Sequence, residues 1–583
     1  MDNQSQNLWT KHLQGPARIG GLLLVIALAL GVIWTALFYW VPVSTNPLEF
    51  FGNTLFFGPI FVGAGLLLTV YINGRRNFRR TLLVFACLAT VIALAYAEED
   101  WRGWHAWHHL KQRWMAKGEY FSLAELVPPP VPEADNFAMT PIAYSSYGDI
   151  LTREGKHISW KNRDAHFVRR MNMPISHDYN DPKNGTGDLT QGRFTDLEAW
   201  QAYYREQSVK TNEFAVPAQP GTPAADVLLA LGKYRPAIEE LRAASQLPAS
   251  RFPLNYDSEF PAMIYLPHLA ALKSCALTLQ LRSAAELQNG QSDQAAADVQ
   301  LGLQLTGKIQ TEPILISHLV RIAMTQLMLQ TIWEGLARQQ WSETQLVVLA
   351  AELATLDFPA DYQRSMRGEI ALQSGNIDAL RHHPEQMDQA GFRDGDSDQK
   401  QRNQRFLLLV RLIPAGWFYQ NQYHCADTML NHYLPVADVA RKTFSPALAR
   451  QGDEIVAAIA KSPGLYHQLE LMMLPALGNA AKKFAYAQAS VDMARTAIAL
   501  ERHRLALGEY PETLDALAPR FMAEVPHDVI GGQPLKYRRE AGGRFTLYSI
   551  GWNEKDDGGV MVFTKGTTPR LDLGQGDWGW QYP

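Results

Sequence analysis

Cysteine is nearly absent from this chain of 583 residues: Cys87, Cys275 and Cys425 are the only three. They are too few and too scattered for a disulfide framework or a cysteine-based zinc site. Excess charge is missing as well. A formal net charge of -4 gives no broad positive field, so nucleic acid is not an expected partner. Also missing are a nucleophile elbow, a phosphate loop, a zinc-protease helix and a dinucleotide fingerprint. Glycine and proline are near ordinary usage, which argues for a packed fold over most of the length.

Long apolar runs are present, and all of them come early. Ile19–Val41 and Leu55–Ile72 carry no charge, and Thr81–Ala97 is a third, slightly shorter run. Each approaches or meets the length needed to cross a hydrocarbon layer of about 30 Å. The first has no small-residue cleavage site and is too long for a removable signal. Lys11 and Arg18 precede it, and "GRRNFRR" separates the second and third runs, whereas 42–54 has no Lys or Arg. Positive-inside bias then puts the N-terminus in the cytoplasm and everything after Ala97 outside it, which in a bacterial inner membrane means the periplasm. Trp101, Trp104, Trp107 and Trp114 follow the third run, as an interfacial collar would; His105 and His109 lie one turn apart within it.

The rest divides by pattern. Residues 1–117 form a membrane domain with spans at 19–41, 55–72 and 81–97. Residues 118–224 read as a spacer, opened by the polyproline-like "VPPPVP" and containing unrecognised strands. Residues 225–475 read as helical hairpins stacked into a solenoid or bundle. The clearest pair flanks "NGQSD" within 267–309, and another helix begins at Glu312-Pro313. The fold class expected is a membrane-anchored, mainly α protein with a small C-terminal α+β domain at 476–583. There a long amphipathic helix ends near Gly508, and two strands follow, with turns at Gly531-Gly532 and Gly542-Gly543.

Within the helical region, His318 and Arg321 lie one turn apart with Glu312 upstream. They either line a pocket or are satisfied inside a core. "DGDSD", 394–398, opens like a calcium-binding loop but has Gln399 and Arg405 where Gly and a bidentate acid are required. "IPAGWFYQNQYHCAD", 413–427, groups His424, Cys425 and Asp427 and reads as a loop packed between helices.

The stretches "GEYPETLDAL" (508–517), "DVIGGQPLKYR" (528–538), "FTLYSIGWNEKDDGG" (545–559) and "LDLGQGDWGW" (571–580) together resemble the globular end of the major pseudopilin of type II secretion systems. The resemblance covers about the last hundred residues and implies an α+β fold with a structural calcium ion in the loop after the strand. Asn553, Asp556 and Asp557 would supply oxygens, and Asp572 or Asp577 would return from the tail to complete the shell. A plain polar turn and a catalytic carboxylate pair are the other readings of that loop. No pilin-type processing motif precedes the domain, so a filament subunit is not implied.

The function expected is an inner-membrane-anchored periplasmic scaffold or interaction protein with a protein partner, within an envelope or secretion-related assembly. The alternative is a membrane-anchored periplasmic hydrolase or ligand-binding enzyme using residues such as His318, His424 and Asp427.

Overall fold

Asn289 and Gly290 stop one helix and turn the chain into the next. Gly290 has φ 75°, and the Gln291 amide reaches back to the Glu286 carbonyl at 2.8 Å. The left-handed turn that glycine permits is what makes this an antiparallel hairpin. In the computed structural model, residues 75–147, 171–176, 185–211, 213–258, 260–385, 410–474, 477–540, 542–566 and 569–581 are described. The expected spans 19–41 and 55–72 lie outside them.

The chain divides into two compact units, residues 1–114 with 376–424, and residues 115–375 with 425–583. In the first unit the helix α1 (Arg75–Met115) contains the expected third span. Leu88, Val91, Ile92 and Leu94 are exposed along it, as are Trp101 and Trp104, whereas Trp107 is buried. His105 stacks on Trp101, and His108 Nδ1 donates to the Trp104 carbonyl at 2.8 Å.

The second unit is mainly helical. Its longer helices are α2 (Leu197–Thr211), α3 (Pro223–Leu231), α4 (Arg235–Ser245), α5 (Pro267–Gln288), α6 (Ser292–Gly307), α7 (Leu315–Ala337) and α8 (Glu343–Ala354). Helix α9 (Phe358–His382) and helix α10 (Ala415–Thr428) each straddle a unit boundary. Helix α11 (Pro446–Lys461) and helix α12 (Leu477–Leu507) complete the set. Helix α5 packs on α6 and α7, α6 on α8, and α12 on both α7 and α8.

Several expectations need correction. The 118–224 spacer contains helix α2, and among its described residues only isolated bridges such as Asp188 with Arg193 stand for strands. Trp200, Tyr203 and Tyr204 recur at three- and four-residue spacing and build a core with Phe214, Val227 and Leu231. Residues 415–427 are helical, not a loop, with Pro414 just ahead of the first turn where its missing N–H costs nothing. Helix α7 starts at Leu315, and Glu312 ahead of it accepts from Ser317 Oγ at 2.5 Å. That helix is long and apolar enough to cross a membrane, yet most of it is buried, as in a core helix. Helix α12 is not amphipathic: alanines all round it, from Ala480 to Ala499, are buried.

Helix α12 ends at Gly508, whose φ of 87° is a left-handed stop. Strands β1 (Ala437–Asp438) and β2 (Thr443–Phe444) form a minimal ribbon. Beyond α12, strands β3 (Lys536–Glu540), β4 (Arg544–Ser549) and β7 (Trp578–Trp580) form an antiparallel sheet in the order β3-β4-β7. Strands β5 (Met561–Phe563) and β6 (Leu571–Gly576) pair separately. Tyr486 of α12 meets the Trp578 ring edge-on at 5.5 Å, so this helix backs the sheet while packing on α7 and α8. The expected boundary at 476 therefore falls at the start of an element shared by both parts.

One half-buried acid carries a pH prediction. Glu369 of α9 accepts only the Leu315 amide, at 3.3 Å, and has no ion pair among the described residues. Burial pushes its carboxyl up to about 7, with that amide pulling the other way. A raised carboxyl favours the folded state fully below the unfolded value of about 4.3, and that advantage is lost as pH rises towards 7. The wild-type melting temperature is expected to fall between pH 5 and pH 7.5 relative to Glu369→Gln, measured by circular dichroism. Parallel curves would refute the assignment.

Candidate functional site

Strand register places two candidate features side by side at the C-terminal end. Lys536, Arg538 and Glu540 of β3 face Tyr548, Thr546 and Arg544 of β4. Paired residues share a face, so these six form the outer face of the sheet. The inner face carries Phe545, Leu547 and Ser549, all buried, with Tyr510 edge-on to Phe545. At the outer face lies a groove of about 280 Å³ whose lining includes Arg538, Arg544, Thr546, Tyr548, Gly559 and Gly579. Glu540 is engaged by Thr546 Oγ1 and by Arg538 at 3.1 Å. Arg544 is exposed and makes no ion pair among the described residues. The lining is mixed in charge, with Arg538, Arg544 and Glu540, and the hydroxyls of Thr546 and Tyr548 already donate to Glu540 and Asp556.

The oxygen-rich loop after β4 borders this groove. Gly551 turns the chain with φ 67°; a Cβ there would sit 2.4 Å from the Gly576 carbonyl oxygen. Asp556 accepts from Tyr548 Oη at 2.9 Å and from the Gly558 amide at 3.1 Å, and pairs with Lys536 at 3.1 Å. The Lys536 ammonium, followed by Tyr548 and Gly558, holds its carboxyl below the usual range. Asp557 accepts from Asn553 Nδ2 at 2.8 Å.

The tail residue that closes the loop is Asp577, which is fully buried. It accepts from the Gly559 amide at 2.7 Å and the Asp557 amide at 3.2 Å. Burial raises its carboxyl and those amides oppose the shift. Asp572 stays on β6 and accepts from the Gly574 amide at 2.9 Å. The structure thus brings Asn553, Asp556 and Asp557 together and leaves Asp572 apart. Their oxygens are spent on N–H and O–H donors, and among the described residues no three His, Cys, Asp or Glu side chains group as a metal shell. A calcium ion would need six or more converging oxygens, so backbone carbonyls of the loop would have to join these side chains.

A second hub lies beneath the strand end and has no marker in the sequence. Asp528 is buried and accepts from the Ile530 and Ile550 amides, each at 2.9 Å, and from Ser549 Oγ at 2.8 Å. Its neighbours "DVIGG" signal a turn, but nothing signals that the carboxylate also binds the end of β4.

His268, Glu312, His318, Arg321 and Asp361 of the helical region are sealed inside it. His268 meets Glu312 Oε1 at 2.8 Å and stacks on Phe252. His318 Nε2 donates to the Glu312 carbonyl at 2.8 Å, leaving Nδ1 at 3.6 Å from Asp361. Asp361 also pairs with Arg321 and, at 3.2 Å, with Arg364. Burial works against its charge, but Arg321, helped by His318 and Arg364, holds the carboxyl below its ordinary value. His268, Glu312, His318, Arg321 and Asp361 are all buried, so the cluster locks α5, α7 and α9 together.

Asp427 accepts from Asn431 on its own helical turn and is not a partner of His318. His424 lies edge-on to Tyr423. Burial raises the Cys425 thiol well above its usual value and pushes Cys275 up to about 12, so neither is a ready nucleophile. Near Cys425, the buried Glu470 accepts from Thr428 Oγ1 at 2.5 Å and meets His467 Nδ1 at 2.6 Å.

Searches of protein families, of curated proteins and of solved structures find no match to this chain.

Proposed function

We propose that this chain is a membrane-anchored scaffold or interaction protein of the bacterial envelope, whose C-terminal sheet engages a protein partner. The observation that carries this reading is the open, arginine-bearing groove on the outer face of β3-β4-β7. The apolar runs that precede residue 98 support the anchor, and the pseudopilin resemblance of 508–580 supports a place in an envelope or secretion-related assembly. A hydrolase built on His318, His424 and Asp427 has no comparable support, since His318 is sealed among Glu312, Asp361 and Phe484.

Removing the C-terminal region would strip helix α12 from its neighbours α7 and α8. The test therefore uses surface charge. Full-length wild type and the double variant Arg538→Glu, Arg544→Glu are cross-linked in native membranes and purified. A partner recovered with wild type is expected to drop about tenfold with the variant, equivalent to about 1.4 kcal/mol of lost binding, at an unchanged melting temperature. An identical set of cross-linked proteins would sink the reading. Millimolar calcium decides the cation reading of the loop. A rise in unfolding temperature that Asp556→Ala and Asp557→Ala cancel would support it.

A further inference from the structure

Three contacts fasten residues 412–416 along a single stretch of helix α1. Tyr96 Oη donates to the Leu412 carbonyl at 2.6 Å. Asp100 accepts from the Gly416 amide at 2.7 Å, at the first turn of α10. Gly103 meets Gly416 backbone to backbone, so closely that a Cβ on Gly103 would lie 2.3 Å from the Gly416 carbonyl oxygen. No side chain separates the two segments at that point, and the height of 412–416 on α1 is fixed.

That height is where the character of α1 changes. On its N-terminal side the exposed residues are Leu88, Val91, Ile92 and Leu94; on its C-terminal side come Glu98, Glu99, Asp100 and the exposed rings of Trp101 and Trp104. Such a change, with indole rings beside it, marks a headgroup boundary. At the same level the later segment presents Leu412, 43% exposed, next to Arg411, whose side chain is 67% exposed and only 3.6 Å-paired with Glu385. An apolar side chain beside a long cation suits the acyl–headgroup boundary, where leucine enters and the guanidinium reaches out to phosphate.

We propose that residues 410–417 form a second contact with the membrane, lying in the interface beside the anchor helix and facing lipid. The proposal rests on the anchor reading of 81–97, and its occupant is the bilayer, because Tyr96 holds the exposed Leu412 just past the exposed apolar residues Leu88–Leu94 of α1. The chain would then touch the membrane twice, at positions more than three hundred residues apart in sequence (Tyr96 and Leu412 are separated by 316).

The test uses the full chain in vesicles of phosphatidylethanolamine and phosphatidylglycerol. Cys87→Ser removes the exposed thiol, while the buried Cys275 and Cys425 stay unlabelled. Single nitroxides are placed through Val91→Cys, Leu412→Cys and Leu229→Cys, all at exposed positions. Collision with oxygen and with a soluble nickel chelate reports depth. Position 412 is expected between 91 in lipid and 229 in water, at about 5–10 Å into the boundary. Lipid exposure at 91 with a fully aqueous 412 would overturn the proposal and leave the anchor intact. A 412 label shielded from both quenchers would assign the site to a protein contact instead, also overturning it. An aqueous 91 would remove the anchor reading and this inference together.

Discussion

Asp361→Ala is expected to destabilise the larger unit by about 3–5 kcal/mol, read as a lower urea midpoint by far-ultraviolet circular dichroism. Among the described residues the carboxylate is the one acid in ion-pair contact with Arg321, and it also neutralises Arg364. Removing it leaves a guanidinium inside the helix bundle with Gln310 Oε1 at 3.5 Å as its remaining side-chain hydrogen-bond partner. Burial already lowers the affinity of Arg321 for its proton, which shows how poorly that position solvates charge. The double variant Arg321→Met, Asp361→Leu removes both charges and is expected to recover most of the loss, because apolar pairs often replace buried ion pairs at little cost. A single-variant loss under about 1 kcal/mol would mean that water reaches the cluster.

Trp333→Ala is the second large effect, with an expected loss of about 3–5 kcal/mol. The indole is fully buried, packs on Phe194 with ring centres 5.0 Å apart, and donates from Nε1 to the Gln581 carbonyl at 2.5 Å. It thereby ties helix α7 to the chain just past β7. Hydrogen exchange should separate its two roles. Trp333→Phe keeps most of the apolar area, costs about 1–2 kcal/mol through the lost hydrogen bond, and speeds exchange in Trp578–Gln581. If exchange there is unchanged in both variants, the indole serves packing alone.

Those two clusters show what the sequence makes legible. The hairpin of α5 and α6 could be read from "NGQSD", and the end of α12 from Gly508, because both depend on local backbone chemistry. The strands β3 and β4 followed from alternation between glycine turns. Helix α2 was missed although Trp200, Tyr203 and Tyr204 carry helical spacing, since prolines and glycines upstream set the expectation of irregular chain. The all-round burial of α12 was invisible because alanine fits both a surface and a crowded interior.

The candidate loop was half readable. Its cluster of Asn553, Asp556 and Asp557 is a local fact of sequence. Which tail carboxylate returns to it depends on where strand β6 ends and the chain bends, at Gly576 with φ 69°. That bend delivers Asp577, one residue past the strand, and leaves Asp572 on β6. His318 and Arg321 needed a partner on α9, and no spacing rule within one helix points to Asp361.

Helix α12 also sets an order in time. The helices α5 to α8 leave the ribosome, and on the proposed topology cross the membrane, long before residues 477–507 that fill the space between α7, α8 and the sheet. Until then the faces of α7 and α8 that pack on α12 wait without their last layer, and such exposed apolar surface invites misassembly in a nascent chain.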